Sequence, residues 1–286
     1  MSIIRKFLFK YVHQQWNIAI CEMGVNFTPV NIRWMKHDYC DRWFADPFPL
    51  EEDELTITIL AEEFLRDQQK GRLAKLTLRK TDAKLLRNQT ILDIDSHLSF
   101  PAFYRNTDNV FVVPENAASG NTKYYKLNQE LEYQGVVSEL PLADPVIFKY
   151  NDSFYLLATL NHECNGNILR VYKSDRQFDG YREVQRIEFG DNIARRAGAV
   201  FEVDGKLISP AQICNNAYGE GVSMQEVVYN DGRFSFVELR RDYPLSNKYK
   251  EGYHTYNVFN NNTIIIDGYR YGSKILRKIY LKIRSI

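Results

Sequence analysis

The feature that most constrains the fold of this chain is a short phrase that occurs twice. Residues 45–48 read Ala-Asp-Pro-Phe, and residues 143–146 read Ala-Asp-Pro-Val. Each copy opens an apolar run, which is followed by a turn and by a second apolar run with polar residues at its end. A strand–turn–strand unit that returns at a long interval is typical of blade and solenoid architectures.

Three further units have the same outline without the Asp-Pro step. The equivalent points of the five units are Asp46, Pro101, Asp144, Gly198 and Thr255. Their spacings of 55, 43, 54 and 57 residues suit a four-stranded propeller blade with outer loops of variable length. Asn- and Asp-rich turns between the runs supply the positive φ angles that hairpins need.

The repeats predict an all-β fold, namely a five-bladed β-propeller with short terminal helices. We expect one domain over residues 1–286, because the chain has no Pro-, Gly- or Ser-rich linker and a propeller of this length is a single unit. A strand at 16–21 is predicted to pair beside 254–267, because closing the ring removes exposed sheet edges. The blades are predicted near residues 43–80, 97–137, 142–188, 195–240 and 252–267.

Cysteine usage and the start of the chain indicate the cellular compartment of the protein. The four cysteines are scattered without Cys-x-x-Cys spacing, which favours reduced thiols over a metal site or a disulfide framework. The first apolar residues are interrupted by basic ones, and no apolar run reaches 18 residues. We therefore expect a cytoplasmic protein.

The net charge of +1 conceals an uneven distribution. Residues 1–13 carry three basic and no acidic side chains, residues 268–286 carry six basic and none acidic, and the body has a net charge of −8. Apolar residues recur at helical spacing in both ends. This pattern suits either attachment to the inner face of an anionic membrane or helices that pack on the propeller. The acidic body argues against nucleic-acid binding.

A set of polar residues is predicted to meet at one face of the propeller, here called the funnel. The first strand of an antiparallel hairpin begins at the edge where the second ends, and all innermost strands begin on the same face around the channel. Ionisable groups that converge in a concave site are typical of function. The residues placed there are Asp46, Glu62, Glu63, His97, Glu115, Asp144, Asn161, His162, Arg195, Arg196, Gln212, His254 and Asp267.

The two Asp-Pro steps suggest sugar chemistry. Proline disfavours the helical region for the residue before it, so we expect Asp46 and Asp144 to be extended and to point rigidly into the funnel. A pair of carboxylates there can stabilise an oxocarbenium-like transition state or bind sugar hydroxyls. Rings of carboxylates can also hold Ca²⁺, which the spacing neither requires nor opposes, and no other cofactor is predicted.

The Asp that opens blade one and the Asp-Pro of blade three resemble the five-bladed propellers of the arabinanase, xylosidase, levansucrase and invertase superfamily. The resemblance implies that Asp46 is base or nucleophile, that Asp144 tunes pKa and orients substrate, and that a Glu opening blade four is the general acid. Blade four of this chain opens instead with Arg195 and Arg196, and a guanidinium does not donate a proton at neutral pH. Either Glu63 or Glu115 has the acid role, or the chain does not hydrolyse glycosides.

Longer phrases carry a second resemblance. They include Trp-Phe-Ala-Asp-Pro-Phe at 43–48, His-Leu-Ser-Phe-Pro at 97–101, Arg-Arg-Ala-Gly at 195–198 and Ser-Pro-Ala-Gln at 209–212. In this order they are similar to the N-terminal propeller domain associated with glucosamine inositolphosphorylceramide transferases. The resemblance implies a link to surface-polysaccharide synthesis, although the transferase fold assigned in the larger plant proteins is a separate domain.

The leading hypothesis is a carbohydrate-active propeller of surface-glycan biosynthesis that transfers or binds a sugar or sugar phosphate at the funnel. Because arginine suits phosphate, we expect Arg196 to bind an anionic ligand and ordinary glycosidase activity to be weak. The alternatives are a glycoside hydrolase with Asp46 as base and a non-catalytic glycan-binding propeller. The candidate catalytic residues are Asp46, Asp144, Glu115 and Glu63, and the candidate substrate-binding residues are Arg195, Arg196, His97, His254, Gln212 and Glu62.

Overall fold

The computed structural model describes residues 11–260 and 262–284, and its strands form five antiparallel sheets of four strands each. In chain order the strands are β1 (Gln14–Met23), β2 (Pro29–Trp34), β3 (Arg42–Glu52), β4 (Thr56–Leu65), β5 (Lys70–Arg79), β6 (Leu85–Leu92), β7 (Ser99–Asn106), β8 (Asn109–Glu115), β9 (Thr122–Leu127), β10 (Leu131–Ser138), β11 (Leu142–Tyr150), β12 (Ser153–Leu160), β13 (Ile168–Ser174), β14 (Arg182–Glu188), β15 (Phe201–Val203), β16 (Lys206–Ile213), β17 (Gly221–Asn230), β18 (Arg233–Asp242), β19 (Tyr256–Asn260) and β20 (Thr263–Tyr271). Three 3-10 turns (Val25–Phe27, Ala117–Ser119 and Asn161–Glu163) and one helix, α1 (Lys274–Arg284), complete the described elements.

The five sheets are the blades of a propeller, which confirms the predicted fold class. Blade one contains β3–β6, blade two β7–β10, blade three β11–β14 and blade four β15–β18. Blade five is built from both ends of the chain, in the order β19, β20, β1, β2. The β1 strand pairs with β20 along its length, with Trp16 opposite Tyr269 and Ile18 opposite Asp267. The ring is therefore closed by the N-terminal strand, as the sequence predicts.

The hydrophobic core consists of apolar layers between neighbouring blades. One layer joins Ile18 of blade five to Phe44 and Ile59 of blade one, and the next joins Leu60 of blade one to Val112 of blade two. These side chains are completely buried. Because full burial of such a side chain contributes about 1.5–3 kcal/mol, each layer contributes strongly to holding two neighbouring blades together.

The residues before three prolines lie in β-bulges. Asp46, Phe100 and Asp144 have φ angles of 50°, 45° and 43°, and the strand register shifts at each of them. The predicted extended conformation of Asp46 and Asp144 is therefore wrong. The reason is that a bulge inserts an extra residue with unusual dihedrals, and proline is tolerated there because it has no N–H to give to the ladder.

The C-terminal helix confirms a short helix at that end, whereas the predicted N-terminal helix lies outside the described residues. The side chains of Leu276 and Tyr280 are half-buried, and Arg277 lies 3.6 Å above the ring of Tyr271. The exposed apolar residues of α1 are Ile275, Ile279 and Ile283. In the described part of the chain no helix is long and apolar enough to cross a membrane. Membrane-surface association stays a prediction.

Gly198 provides a test of how closely blades four and five approach each other. A Cβ atom at this position would lie 2.0 Å from the backbone oxygen of Tyr256, which cannot swing aside as a side chain can. We expect Gly198→Ala to lower the free energy of unfolding by about 3 kcal/mol, as overpacking does in a dense core. Chemical denaturation measures this value.

The matched control for this substitution is Gly190→Ala. A Cβ atom at residue 190 meets nothing within 4 Å, so we expect a change within about 0.5 kcal/mol. Equal stability of the two variants would contradict the close approach of the blades at Gly198.

Candidate functional site

The floor of the funnel begins with a buried triad of Asp46, His254 and Asp267. The Nδ1 atom of His254 lies 2.7 Å from Oδ2 of Asp267, and Nε2 lies 3.7 Å from Oδ1 of Asp46. Asp46 accepts hydrogen bonds on both oxygens, from the Thr255 hydroxyl at 2.9 Å and the Phe100 N–H at 3.1 Å. Although burial acts in the opposite direction, Asp267 and Asp46 raise the pKa of His254, so the triad favours an imidazolium between two carboxylates.

A second group surrounds the guanidinium of Arg195. Its Nε lies 2.5 Å from Oδ2 of Asp144, and its terminal nitrogens donate to Glu115 at 3.0 Å and to Asn165 at 3.2 Å. Gln212 donates to the same Asp144 oxygen at 2.6 Å. Burial opposes ionisation of Glu115, yet Arg195 and the Asp144 N–H hold its pKa below the ordinary value. Burial and the Glu115 charge raise the pKa of Asp144, although the Arg195 guanidinium acts in the opposite direction.

Glu62 is the funnel carboxyl group without a strong partner. Its side chain is buried, and Oε1 has no hydrogen-bond partner among the described residues. Burial and the neighbouring carboxylates, with Asp46 first among them, raise its pKa well above the ordinary value. A raised pKa favours the protonated carboxyl group, which is the form that can donate a proton.

His97 lies beside Glu62 at the edge of the funnel. Its Nδ1 accepts a hydrogen bond from the Gly71 N–H at 2.9 Å, so the ring proton is assigned to Nε2, which lies 3.5 Å from Oε1 of Glu62. Burial lowers the pKa of His97, which keeps the ring neutral. A Cβ atom on residue 71 would lie 2.4 Å from Glu62 and 2.8 Å from His97. Glycine at this position therefore makes room for both side chains.

Aromatic side chains surround the polar floor. The ring of Tyr218 is 38% exposed and lies 5.2 Å from the Arg195 guanidinium. Trp16 stacks on His254 with a centroid distance of 3.9 Å, and Trp43 stacks on Phe64 at 4.5 Å. Aromatic faces next to fixed polar groups are typical of sites that hold small molecules.

The predicted placement of Glu63 in the funnel is wrong. Its carboxylate accepts hydrogen bonds at 2.7 Å from each of Arg42, Arg72 and Asn88, on the other side of blade one. Neighbouring residues of a strand point to opposite faces, so Glu62 and Glu63 cannot both face the funnel. Glu63 is a structural ion-pair centre.

The predicted placement of Arg196 is wrong for the same reason. Arg195 points into the funnel, and Arg196 points into the protein interior and is completely buried. Its guanidinium donates to the backbone oxygens of Ile193 and Ala194 and to the side chains of Ser209 and Gln225. Arg196 therefore has no surface to offer to a ligand.

The charge of the funnel does not suit an anionic ligand. Five carboxyl groups, those of Asp46, Glu62, Glu115, Asp144 and Asp267, surround one guanidinium, that of Arg195, and the His254 ring. Arg195 already contacts two carboxyl groups. The hypothesis of a phosphate bound in the funnel by arginine finds no support in this arrangement.

The triad is also the one group in the described part of the chain with metal-ligand spacing. One ligand atom from each of Asp46, His254 and Asp267 lies within 4.8 Å of the others. The oxygens of Asp267 already accept hydrogen bonds from the Asp46, His254 and Thr255 N–H groups and from the His254 ring. Because Ca²⁺ requires six to eight oxygen ligands, this triad does not fit the Ca²⁺ ion that the sequence left open.

The structure brings eight of the ten candidate residues to the funnel or its edge and adds several that sequence reasoning did not select. The residues that lie in this location are Asp46, Asp144, Glu115, Arg195, His97, His254, Gln212 and Glu62, and their roles stay predictions. Asp267, which the sequence placed at this face without a catalytic or binding role, also lies on the floor. The added residues are Thr255, Asn165, Tyr218 and Trp16.

The adjacent residues Glu62 and Glu63 give a paired test of the site. A raised pKa in the folded state means that stability falls as pH rises from the ordinary glutamate value toward the folded value. We therefore expect Glu62→Gln, which cannot ionise, to be more stable than wild type by about 1 kcal/mol at pH 7–8 and to lose that advantage near pH 4. Urea denaturation at several pH values measures the difference.

The matched substitution Glu63→Gln should behave in the opposite way. It leaves Arg42 and Arg72 without their buried carboxylate, so we expect a loss of about 3 kcal/mol at neutral pH. A Glu62→Gln variant that is less stable than wild type at pH 8 would contradict a protonated Glu62.

Solved structures with a similar fold are glycoside hydrolases. An α-L-arabinofuranosidase from Podospora anserina in complex with cellotriose aligns with a TM-score of 0.57 and 10% identity, over 79% of this chain and 90% of that chain. An exo-β-1,3-galactanase from Phanerochaete chrysosporium with galactose aligns with a TM-score of 0.55 and 10% identity, over 77% of this chain and 58% of that chain. At these identities the similarity shows the propeller fold alone.

Similarity in sequence leads to a different group of proteins. Glucosamine inositolphosphorylceramide transferase 1 of Oryza sativa subsp. japonica is 25% identical over 146 residues, which cover 48% of this chain and 20% of that protein. The Arabidopsis thaliana protein of the same name is 23% identical over 181 residues, which cover 57% of this chain and 23% of that protein. The chain thus matches about a fifth of the length of these plant relatives. A match over residues 35–266 shows that the chain belongs to the family described as Glucosamine inositolphosphorylceramide transferase 1, N-terminal.

Proposed function

We propose that the funnel binds a sugar and that this carbohydrate-active propeller takes part in glycosyl transfer during synthesis of a surface glycan. The observation that carries the proposal is that the buried Glu62, whose pKa burial and nearby carboxylates raise, shares one funnel floor with the hydrogen-bonded carboxyl group of Asp46. An acid and a base on one site can activate sugar hydroxyls or stabilise charge at an anomeric carbon. The name of these relatives supports transfer of a sugar in glycolipid synthesis.

The ligand chemistry follows from the charge of the funnel. Carboxyl groups outnumber cations there, so a neutral or amino sugar is favoured over a sugar phosphate. The exposed ring of Tyr218 offers an apolar face for a sugar ring, and the Arg195 guanidinium, which Asp144 and Glu115 hold, lies 5.2 Å from that ring. The amino sugar in the relatives' name has the charge that such a site prefers.

A specific observation also supports a second candidate, glycoside hydrolysis. The arabinofuranosidase and the galactanase named above have this fold, and the raised pKa of Glu62 favours the protonated form that a general acid needs. The superfamily resemblance implies an acid that opens blade four, and this chain has Arg195 there, held by Asp144 and Glu115. Loss of a positioned acid costs on the order of 10²–10⁴ in rate, so we favour transfer over hydrolysis.

The location of the protein is part of the same proposal. We propose that the protein is cytoplasmic and binds peripherally to the inner face of the membrane, where it would have access to glycolipid donors and acceptors. The exposed Ile275, Ile279 and Ile283 of α1 next to basic residues support such a placement. Co-sedimentation with vesicles that contain anionic lipid tests it, and equal binding to neutral vesicles would contradict it.

Sugar binding can be measured by saturation-transfer NMR and calorimetry with galactose, glucosamine, glucuronate and glucose 1-phosphate. We expect the neutral and amino sugars to bind at the funnel. Tyr218→Ala and Asp144→Asn should each weaken that binding about tenfold or more, because the first removes the face for the sugar ring and the second removes the charge that holds Arg195 beside it. The matched control is Tyr133→Ala, an exposed tyrosine on the outer strand of blade two, which should bind as wild type does.

An enzyme assay separates transfer from hydrolysis. We expect little turnover of aryl furanosides and pyranosides, and sugar transfer from activated donors to lipid or glycan acceptors. Robust aryl-glycoside turnover that is abolished in both Glu62→Gln and Asp46→Asn would establish the hydrolase candidate instead. Sugar binding unaffected by Tyr218→Ala and Asp144→Asn would overturn the funnel as the site.

A further inference from the structure

A large groove outside the funnel lies between blades five and one. It has a volume of about 1230 Å³ and is lined by the start of β1, the segment 35–43, the start of β6 and parts of 248–270. Its wall includes Trp16, whose ring stacks on His254 of the funnel, and Trp43. The groove is thus adjacent to the funnel and separated from it by an aromatic wall.

The groove is strongly basic, unlike the rest of the body. Asp38 is the one acidic residue among those that line it, and Arg42 is engaged by Asp41 and Glu63. The other lining cations are Lys36, Arg66, Lys84, Arg87, Lys248 and Arg270. Cations gathered from four separate parts of the chain create a positive potential that the low net charge of the protein does not reveal.

Most of these cations are not neutralised within the protein. In the part of the chain that the structure describes, Lys36 pairs with Asp82 at 3.5 Å, and no carboxylate lies within ion-pair distance of Lys84, Arg87, Lys248 or Arg270. Burial and the charges of Arg270 and Lys36 lower the pKa of Lys248. An anion that binds between positive groups relieves their mutual repulsion, so its binding is favourable.

Polar atoms of the lining also lack partners. Nε of Arg270 and Nδ1 of His37 are buried and make no hydrogen bond with the described residues. The ring of Tyr249 holds the cations in place, because the Arg270 guanidinium lies 5.2 Å and the Lys248 amino group 5.7 Å from its centroid. A buried guanidinium nitrogen next to fixed cations suits the oxygens of a phosphate.

We propose that this groove is a second binding site, which takes a phosphate-bearing group such as a sugar phosphate or diphosphate. Several cations without carboxylate partners fit the multiple negative charges of a diphosphate better than the single charge of a carboxylate. The aromatic wall of Trp16 and Trp43 gives the attached sugar or base an apolar surface. The proposal does not rest on sugar binding at the funnel, since it uses other residues.

Intrinsic fluorescence is a direct probe of this site. The chain has three tryptophans: Trp16 and Trp43 line the groove, and Trp34 lies 4.2 Å from Tyr249 between ring centroids. We expect pyrophosphate and glucose 1-phosphate to give a saturable fluorescence change and a calorimetric signal that Lys248→Gln with Arg270→Gln weakens, whereas any signal from glucose at the funnel should not change in that variant. Binding should weaken as salt rises, because the site is open to solvent and its contacts are charged.

Two double variants test the assignment. Lys248→Gln with Arg270→Gln should weaken pyrophosphate binding tenfold or more, because each charged hydrogen bond accounts for about one decade of affinity. Lys84→Gln with Arg87→Gln, which changes two exposed side chains and leaves the core untouched, should also weaken it at least severalfold. The matched control is Lys149→Gln with Arg233→Gln, two exposed cations elsewhere on the propeller, which should stay within twofold of wild type.

Competition experiments distinguish a lipid headgroup from a soluble sugar phosphate as the source of the phosphate. Displacement of pyrophosphate by phosphatidylcholine vesicles with phosphatidic acid, and not by pure phosphatidylcholine, would assign the groove to a lipid headgroup. Displacement by glucose 1-phosphate alone would assign it to a soluble sugar phosphate. The absence of saturable binding of both pyrophosphate and glucose 1-phosphate at millimolar concentration, or equal weakening in the Lys149/Arg233 control, would overturn the proposal.

Discussion

The arrangement of the funnel depends on one recurring interaction, a backbone N–H donated from a β-bulge to a carboxylate of the preceding blade. The Asp46 N–H donates to Asp267, the Phe100 N–H to Asp46, and the Asp144 N–H to Glu115. A bulge removes an N–H from the strand ladder, and a buried N–H must find another acceptor. The positive φ angles at these bulges cost on the order of 1–3 kcal/mol each, which charged hydrogen bonds of similar strength offset. Blades five, one, two and three are thereby joined at the channel.

This interaction explains why several buried carboxyl groups coexist on the funnel floor. Asp46, Glu115 and Asp267 are each held by donors from a neighbouring blade, and Asp144 is held by Arg195 and Gln212 of blade four. Glu62 has no such structural partner on its Oε1 atom, yet it lies in the field of the others. Its raised pKa is a consequence of burial and of the charges that hold the ring together. Glu62, whose Oε1 atom takes no part in holding the blades together, is therefore the carboxyl group best suited to proton transfer.

Much of this architecture could be read from the sequence, and the errors have a common origin. The spacing of the five repeated strand–turn–strand units was sufficient to predict five blades and closure of the ring by residues 16–21. The funnel set was correct wherever one residue ended or opened a strand, as at Glu115 and Asp144. It failed at the pairs Glu62–Glu63 and Arg195–Arg196, because neighbouring residues face opposite ways and the sequence does not state which one faces the channel. The bulge conformation of Asp46 was missed, because the restriction before proline concerns the helical region and does not require extension.

The sequence could not predict that carboxyl groups lie on one side of the Trp16 ring and basic side chains on the other. The cations of the groove are scattered between Lys36 and Arg270, and only the closure of the ring brings β1 and β20 against β3 and β6. On one side of Trp16 lies the His254 ring between the carboxyl groups of Asp46 and Asp267, and on the other lie cations such as Lys248 and Arg270, which have no carboxylate partner among the described residues. Electrostatic complementarity directs ligands by sign. A ligand with an uncharged sugar and a charged phosphate would therefore be oriented by the electrostatic potential before any specific contact forms. Its phosphate would be attracted to the groove, and its sugar would be left on the funnel side of the Trp16 ring.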